Sequence, residues 1–146
     1  MAASTTPMHS AGTKLSWKPK GGTGTKTTIG KLTELGEINQ TAAEVDTTTL
    51  ESVGAYREYI PGYKDPGNMT VAGYYAPGDQ TQGSFQTLFD SQDIVEWEIM
   101  FVDGTTLTFD GYVSGLNYGP VSVDGVPGFG GTIRITGPIV PNIAAS

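Results

Sequence analysis

The sequence predicts an all-β domain with one helix. From Ile29 onward, short runs rich in Thr, Val, Ile and Tyr are separated by Gly, Pro and Asp-Gly, which is typical of strands and turns. In residues 95–101, Val95, Trp97, Ile99 and Phe101 fall on one face and Glu96 and Glu98 on the other, as in a half-buried strand. One segment, 79–91, carries apolar residues at helical spacing instead. At 146 residues, the chain suits a single domain with its own core.

The first 27 residues are predicted to form a flexible basic arm, and residues 28–146 the single domain. The first 31 residues contain five lysines and no acid, which leaves three basic residues against 15 acids in the rest of the chain. The arm has little apolar content beyond Leu15 and Trp17, so it cannot bury enough surface to order by itself. An inert tail is the simpler interpretation. Trp17 favours an arm that docks on a partner.

Six strands are predicted along the domain. They lie at 28–38, 42–50, 69–76, 94–102, 105–116 and 131–137. In the fourth, Val95, Trp97, Ile99 and Phe101 face the core, and Glu96 and Glu98 face away from it. Asp103-Gly104 predicts a hairpin over 94–116 with a two-residue primed turn.

The segment from Asp46 to Asn68 is predicted to be a long structured loop. It is rich in aromatic residues without any core-forming period, and Pro61-Gly62 and Asp65-Pro66-Gly67 are typical of turns. Loops of this length in a small domain are usually functional or disordered. Tyr and Arg often anchor protein interfaces, so the segment indicates assembly with a partner.

The helix is predicted to follow Pro77-Gly78, with Asp79 or Ser84 as its N-cap. Phe85, Leu88 and Phe89 would form a stripe that covers one open end or face of the sheet. After the hairpin, Pro120, Pro127 and the Gly128–Gly131 run predict a loop or bulged edge. Pro138 and Pro141 are expected to end the domain.

The residue types argue against catalysis. The chain has no Cys, and its only His, His9, lies in the predicted arm, so no histidine triad or thiolate site is expected. Glu96 and Glu98 resemble an acid and base pair, but a solvated strand face explains them better. We expect no catalytic residue, metal or cofactor. The net charge of -7 disfavours sequence-specific binding to nucleic acid, and no apolar run predicts an export signal or a membrane anchor.

The order of elements resembles a known family. Leu35-Gly36-Glu37-Ile38, Val45-Asp46-Thr47-Thr48, the Tyr56–Gly62 segment and Tyr75-Ala76-Pro77-Gly78-Asp79 occur in the order and spacing of the tail tube (major tail) proteins of long, non-contractile-tailed, lambda-like bacteriophages. The resemblance covers roughly Ile29 to Gly137. It implies a β-sandwich or barrel-like tail tube fold with one helix and a long inter-strand loop.

The resemblance also implies a non-enzymatic structural role in the virion tail. Such proteins form hexameric rings that stack into a hollow tube for genome delivery. Expected partners are further copies of the chain and the tape-measure, tail terminator and tail-tip proteins, with DNA passing through the lumen without specific binding and assembly in the host cytoplasm. The alternative is another virion or cell-surface β-sandwich, for capsid decoration or for adhesion and carbohydrate binding.

Two sets of residues are the candidate sites under this interpretation. Glu96 and Glu98 are candidates for an acidic lumen face. The candidate contacts between subunits or between rings are Trp17, Tyr56, Arg57, Tyr59, Ile60, Pro61, Tyr63 and Lys64.

Overall fold

The protein is described by a computed structural model that covers residues 11–21, 25–119, 121, 123 and 125–143. Seven strands form one antiparallel sheet in the order β2-β1-β7-β8-β9-β6-β3, and β4 pairs only with β5. The elements are β1 (Lys14–Pro19), β2 (Thr27–Thr28), β3 (Leu32–Leu35), β4 (Thr41–Asp46), a 3-10 turn (Val53–Ala55), β5 (Tyr59–Asp65), β6 (Asn68–Tyr74), α1 (Gln80–Ser91), β7 (Val95–Met100), β8 (Thr106–Tyr118) and β9 (Gly128–Asn142).

The large sheet curls into a half-barrel, and its inner face forms the core. The centre of the core is the Phe85 side chain of α1, whose ring centroid lies 5.6 Å from that of Trp97 and 5.7 Å from that of Phe129. Gly131 makes this approach possible, because a Cβ at that position would lie 2.9 Å from the Phe85 ring. The prediction of an all-β domain with one helix is confirmed.

The helix begins and ends as its sequence predicts. Asp79 is the N-cap, and its Oδ1 accepts a hydrogen bond from the Thr81 backbone N–H at 2.9 Å. Phe85 and Leu88 are buried, and Phe89 packs partly against the core. Gln92 ends the helix in the left-handed conformation, and its side-chain amide donates to the Val113 carbonyl at 3.0 Å. The helix is thereby fixed to the sheet.

The hairpin of β7 and β8 is confirmed, but its turn is longer than predicted. The Phe101 N–H donates to the Thr105 carbonyl at 2.9 Å, and the Gly104 N–H donates to the Phe101 carbonyl at 3.0 Å. Three residues, 102–104, therefore form the loop, with Gly104 at a φ of 93°. A positive-φ glycine is common in three-residue hairpin loops of this kind.

The prediction of a flexible arm is wrong for the central part of that segment. Lys14–Pro19 is strand β1, which pairs with β7 along its whole length and places Leu15 opposite Ile99. Leu15 is completely buried. The low apolar content of this segment wrongly predicted a flexible arm. The partner strand β7, about 80 residues later in the sequence, supplies the hydrogen bonds and apolar surface that the segment lacks by itself. The parts of the predicted arm at 1–10 and 22–24 lie outside the described residues.

Four other features also differ from the predictions. Within the predicted 46–68 loop, Tyr59–Asp65 forms β5 and pairs with β4. The glycine-rich run opens β9 between β6 and β8, because these glycines let neighbouring backbones approach closely. Pro138 and Pro141 do not end the domain, since β9 continues to Asn142 beside β8 alone, past a bulge where Gly137 has a φ of 86°. The predicted 28–38 strand is split into β2 and β3.

Leu15→Ala tests the structural role of β1. We expect the free energy of unfolding to fall by about 2 to 5 kcal/mol, as for other buried leucines, measured by chemical denaturation of the monomer. Lys14→Ala, on the exposed face of the same strand, is the control and should change it by no more than about 0.5 kcal/mol. Equal, small effects of both substitutions would show that β1 is not part of the folded core.

Asp79 gives a pH-dependent contribution to stability. Hydrogen bonds from Thr81 hold the pKa of Asp79 below its ordinary value of 3.8. Because the folded pKa is lowered, this contribution is present above pH 3.8 and is lost as the pH falls through the folded pKa. We expect Asp79→Ala to cost about 1 kcal/mol at neutral pH. Asp79→Asn keeps the cap but has no carboxyl group to titrate. Between pH 7 and pH 2.5 its free energy of unfolding, measured by chemical denaturation, should therefore fall less than that of the unmodified protein.

Candidate functional site

The most exposed apolar surface in the described part of the chain is the projecting hairpin, formed by β4, β5 and the turn between them (residues 41–65). Every residue of β4 is exposed, and all of β5 except Gly62 is exposed. Its large apolar side chains have exposed fractions from about half to complete. They are Val45 (46%), Leu50 (107%), Val53 (83%), Tyr56 (77%), Tyr59 (51%), Ile60 (51%) and Tyr63 (94%).

Both faces of the projecting hairpin carry apolar side chains. Val45 and Ile60 are cross-strand partners and therefore share one face. Tyr59 is paired with Asp46, so it lies on the opposite face together with Pro61. An isolated two-stranded hairpin is only marginally stable in water, and among the described residues no third strand or helix covers either face of this one. The arrangement is that of a surface completed by a partner.

Polar contacts shape the hairpin nonetheless. The Arg57 guanidinium donates to Asp46 Oδ2 at 3.0 Å, and the Thr48 hydroxyl accepts from the Glu58 N–H at 2.7 Å. Hydrogen bonds from Thr48 lower the pKa of Asp46, and Arg57 adds to this effect. At the base, Arg134 donates to Asp65 Oδ1 at 3.1 Å and joins the hairpin to β9. The hairpin is therefore held in shape before any partner binds.

Seven of the eight predicted contact residues lie together on this hairpin. Trp17 does not, because it belongs to β1 and is half-buried opposite Trp97 in the large sheet. Its indole and the α1 residues Gly83, Ser84 and Thr87 line a shallow groove of about 420 Å³. The predicted contact residues did not include Leu50 or Val53, although both fall within the segment that the sequence singled out.

Glu96 and Glu98 lie on the polar face of the sheet, opposite the core, as predicted. They are not free carboxylates, however. Lys18 pairs with Glu96 at 3.0 Å, and Lys26 pairs with Glu98, which is only 9% exposed. Both lysines were predicted to lie in the flexible basic arm. The predicted acidic face therefore did not include them.

A lysine also neutralises an acid on the next strand, β8. Glu96 stands directly opposite Asp110 of β8, a like-charge pair that destabilises a sheet. Lys20 pairs with Asp110 at 3.4 Å, so each acid of the pair has its own lysine. The same face carries Thr106, Thr108, Thr132 and Thr136, together with Met100, Tyr112, Arg134 and Val140.

A second groove is lined by described residues of β3, β7 and β8 and of the segment before β1. This groove, of about 650 Å³, opens between β3 and the start of β1, with Ile99, Phe101 and Leu107 as its apolar floor and Glu34 and Glu37 on its wall. Within the described residues, no group of three or more His, Asp or Glu side chains is placed to hold a metal ion. No helix in the same ranges is both long and apolar enough to cross a bilayer.

Comparison with known proteins identifies the family of this chain. A family model described as the lambda phage tail tube protein, TTP, matches residues 24–138, most of the chain. The chain belongs to this tail tube protein family. It is therefore a structural component of a phage tail tube. No curated protein sequence matches it significantly.

Solved structures share the tail tube fold. A chain in the virion of a native gene transfer agent particle matches with a TM-score of 0.73 and 19% identity, over 93% of this chain and 99% of that one. The tail of an empty gene transfer agent particle gives a TM-score of 0.70 and 21% identity, over 90% and 95%. The SPP1 tail tube gives 0.71 and 15%, over 96% and 81%. At these low sequence identities, the structural comparison shows that this chain shares the tail tube fold.

Two of the ion pairs on the polar face, those of Glu96 and Glu98, differ in burial, which allows a matched test. Lys26→Met would leave Glu98 nearly buried without its partner, and we expect a loss of about 1 to 3 kcal/mol in unfolding free energy. Lys18→Met leaves the more exposed Glu96 without its partner and should lower the unfolding free energy by less than about 1 kcal/mol. Chemical denaturation of the two variants measures both values. A larger loss for Lys18→Met than for Lys26→Met would contradict the importance of burial here.

Proposed function

We propose that this tail tube protein assembles into hexameric rings that stack into a hollow tube, and that the projecting hairpin makes contacts between copies. The exposed apolar side chains on both faces of the hairpin carry this proposal. The residues assigned to the contact are Tyr56, Arg57, Tyr59, Ile60, Pro61, Tyr63 and Lys64. Trp17, beside α1, is assigned to a second contact. The related particle tail was solved with C6 symmetry, which supports six copies per ring.

The exposed tyrosines suit a contact that forms after folding. A tyrosine side chain provides a large apolar area with few rotatable bonds, so ordering it at an interface costs little entropy. The ion pair of Arg57 with Asp46 limits the motion of the hairpin further. Such preorganisation lowers the cost of association. The hairpin is thus suited to repeated contacts between many identical copies.

The polar face of the sheet is proposed to line the lumen. Duplex DNA binds proteins mainly through lysines and arginines that displace counterions from phosphates. Lys18, Lys20 and Lys26 are each paired with a carboxylate on this face, so they do not form a free basic track. The neutralised, Thr-rich surface therefore lets DNA pass without lasting binding. This replaces the simpler hypothesis of a uniformly acidic lumen.

The tube requires proteins at its two ends and a determinant of its length. We propose tape-measure, tail terminator and tail-tip proteins as partners, with assembly in the host cytoplasm and final location in the virion tail. Structures of the same fold occur in the baseplate of an anti-feeding prophage and in its tube-terminating cap, with TM-scores of 0.72 and 0.62. The family match favours this role over capsid decoration, adhesion or carbohydrate binding.

Ile60→Asp tests the role of the projecting hairpin. A charge on this half-exposed side chain should leave the monomer folded, because the position contributes nothing to the core. We expect tubes, counted by negative-stain electron microscopy, to decrease at least tenfold, and Tyr59→Ala to weaken assembly less strongly. Circular dichroism should show unchanged folding of both variants.

Val140→Asp is the matched control for Ile60→Asp. Val140 is 49% exposed, close to the 51% of Ile60, but it lies on the polar face of the sheet opposite Thr108. Because this face is assigned to the lumen, the control should form tubes normally. Tubes of normal number and length from Ile60→Asp would exclude the proposed hairpin contact.

A further inference from the structure

The two edges of the large sheet are joined by a connection of only three residues. β2 and β3 lie at opposite edges of the seven-stranded sheet, yet only residues 29–31 separate them in the sequence. Four residue steps span at most about 14 Å, so the two edges come close together here. We call the gap between β1 and β3 the seam of the half-barrel.

Hydrogen bonds to α1 and β1 hold this connection in place. The Gly30 N–H donates to Thr81 Oγ1 at 3.0 Å, and the side-chain amide of Gln82 donates to the Gly30 carbonyl at 3.1 Å. The Ile29 N–H donates to the Leu15 carbonyl at 2.9 Å. Both Ile29 and the Gln82 side chain are buried. The width of the seam is therefore set at the connection before any partner binds.

Beyond the connection the seam is open and forms the groove of about 650 Å³ with its floor of Ile99, Phe101 and Leu107. One rim is β3, which among the described strands is paired only with β6. The other rim is residues 11–13, just before β1. The volume lies in the range of pockets that bind ligands. An extended segment that adds to the free edge of β3 places alternate side chains on the apolar floor.

Charge distinguishes between the segments of the chain that are long enough to fill the groove. Glu34 and Glu37 line it, and no lysine or arginine is among the described residues that do. The projecting hairpin carries five acids against two bases, so Glu34 and Glu37 repel it. Residues 1–10 contain no acid. The amino-terminal segment is therefore the better match.

The same segment meets the described chain at the groove itself. Residues 1–10 lie outside the described residues, and the next residue, Ala11, lines the groove. Ala11 and Gly12 form a turn in which Gly12 has a φ of 95°, and a turn reverses the direction of the chain. Ten residues reach up to about 33 Å, whereas residues 32–38 span roughly 20 Å. The length is sufficient to follow the whole rim.

We infer that residues 1–10 bind in this groove of their own copy, alongside β3, with Met8 on the apolar floor. Methionine is unbranched and flexible, so it fills irregular apolar spaces. An uncovered edge strand is a template for pairing with another chain. The bound segment covers the edge of β3 and leaves association to the projecting hairpin. The inference concerns the folded monomer and does not depend on the proposed tube.

The absence of cysteine from the chain allows a direct test by cross-linking. Thr33→Cys on the rim is combined with Thr5→Cys or with Thr6→Cys, because neighbouring residues of a strand point to opposite sides. A disulfide forms only when the two Cα atoms come within about 7 Å. In the control, Val102→Cys replaces Thr33→Cys. Val102 is 47% exposed and close to Gly12, but it does not line the groove.

The expected result is an intramolecular disulfide in the dilute monomer, in at least fivefold higher yield than in the Val102→Cys control for one of the two positions. Yields equal to the control at both positions would overturn the inference. Separate single-cysteine proteins, Thr6→Cys and Thr33→Cys, are also mixed. Disulfide heterodimers above the control level would place the segment in another copy, which would overturn binding to its own groove.

Met8→Asp gives a second measurement on the full chain. It puts an acid on the apolar floor beside Glu34 and Glu37, and Met8→Leu is the matched control. We expect amide hydrogen exchange over residues 32–35 to become at least fivefold faster in Met8→Asp and to stay unchanged in Met8→Leu. Unchanged protection of β7 shows that both variants are folded. Equal exchange over residues 32–35 in the two variants would contradict the inference.

Discussion

The contact of Phe85 with the inner face of the sheet is the interaction on which the rest of the structure depends. Phe85 is completely buried between Trp97 and Phe129, and it reaches them only because Gly131 has no side chain. This contact places the single helix over the half-barrel. It also fixes Phe129, against which Tyr75 and Tyr118 pack. The interior of the domain therefore determines the shape of a surface at its edge.

A fold with one helix cannot cover every apolar side chain that its strands present. The core uses the inner face of the large sheet, and no other described element covers the faces of the projecting hairpin. Tyr74, Tyr75 and Tyr118 are also exposed, by 53%, 36% and 51%, near the opposite end of β6. For an isolated protein these surfaces would favour aggregation. In a tail tube protein they are explained if each surface is covered by another copy.

The charges of the protein are organised by strand pairing rather than by position in the sequence. Along the sequence, the amino-terminal lysines form a separate basic block. In the structure, Lys18 belongs to β1 and Lys20 adjoins it, beside the acids of β7 and β8. Each pair is at most partly buried, so its individual contribution to stability is small. Their shared consequence is a polar face with little unpaired charge, which is compatible with the passage of DNA.

The sequence by itself determined the elements whose signals are local. The alternation in β7, the N-cap and apolar stripe of α1, and the exposed aromatic segment at 46–68 were all predicted because neighbouring residues carry the pattern. The tertiary structure alone decided that Leu15 and Trp17 belong to a strand, that β5 pairs with β4, that β9 continues past two prolines, and that Glu96 and Glu98 are paired with lysines. Most of these features depend on groups far apart in the chain, which composition and periodicity do not encode.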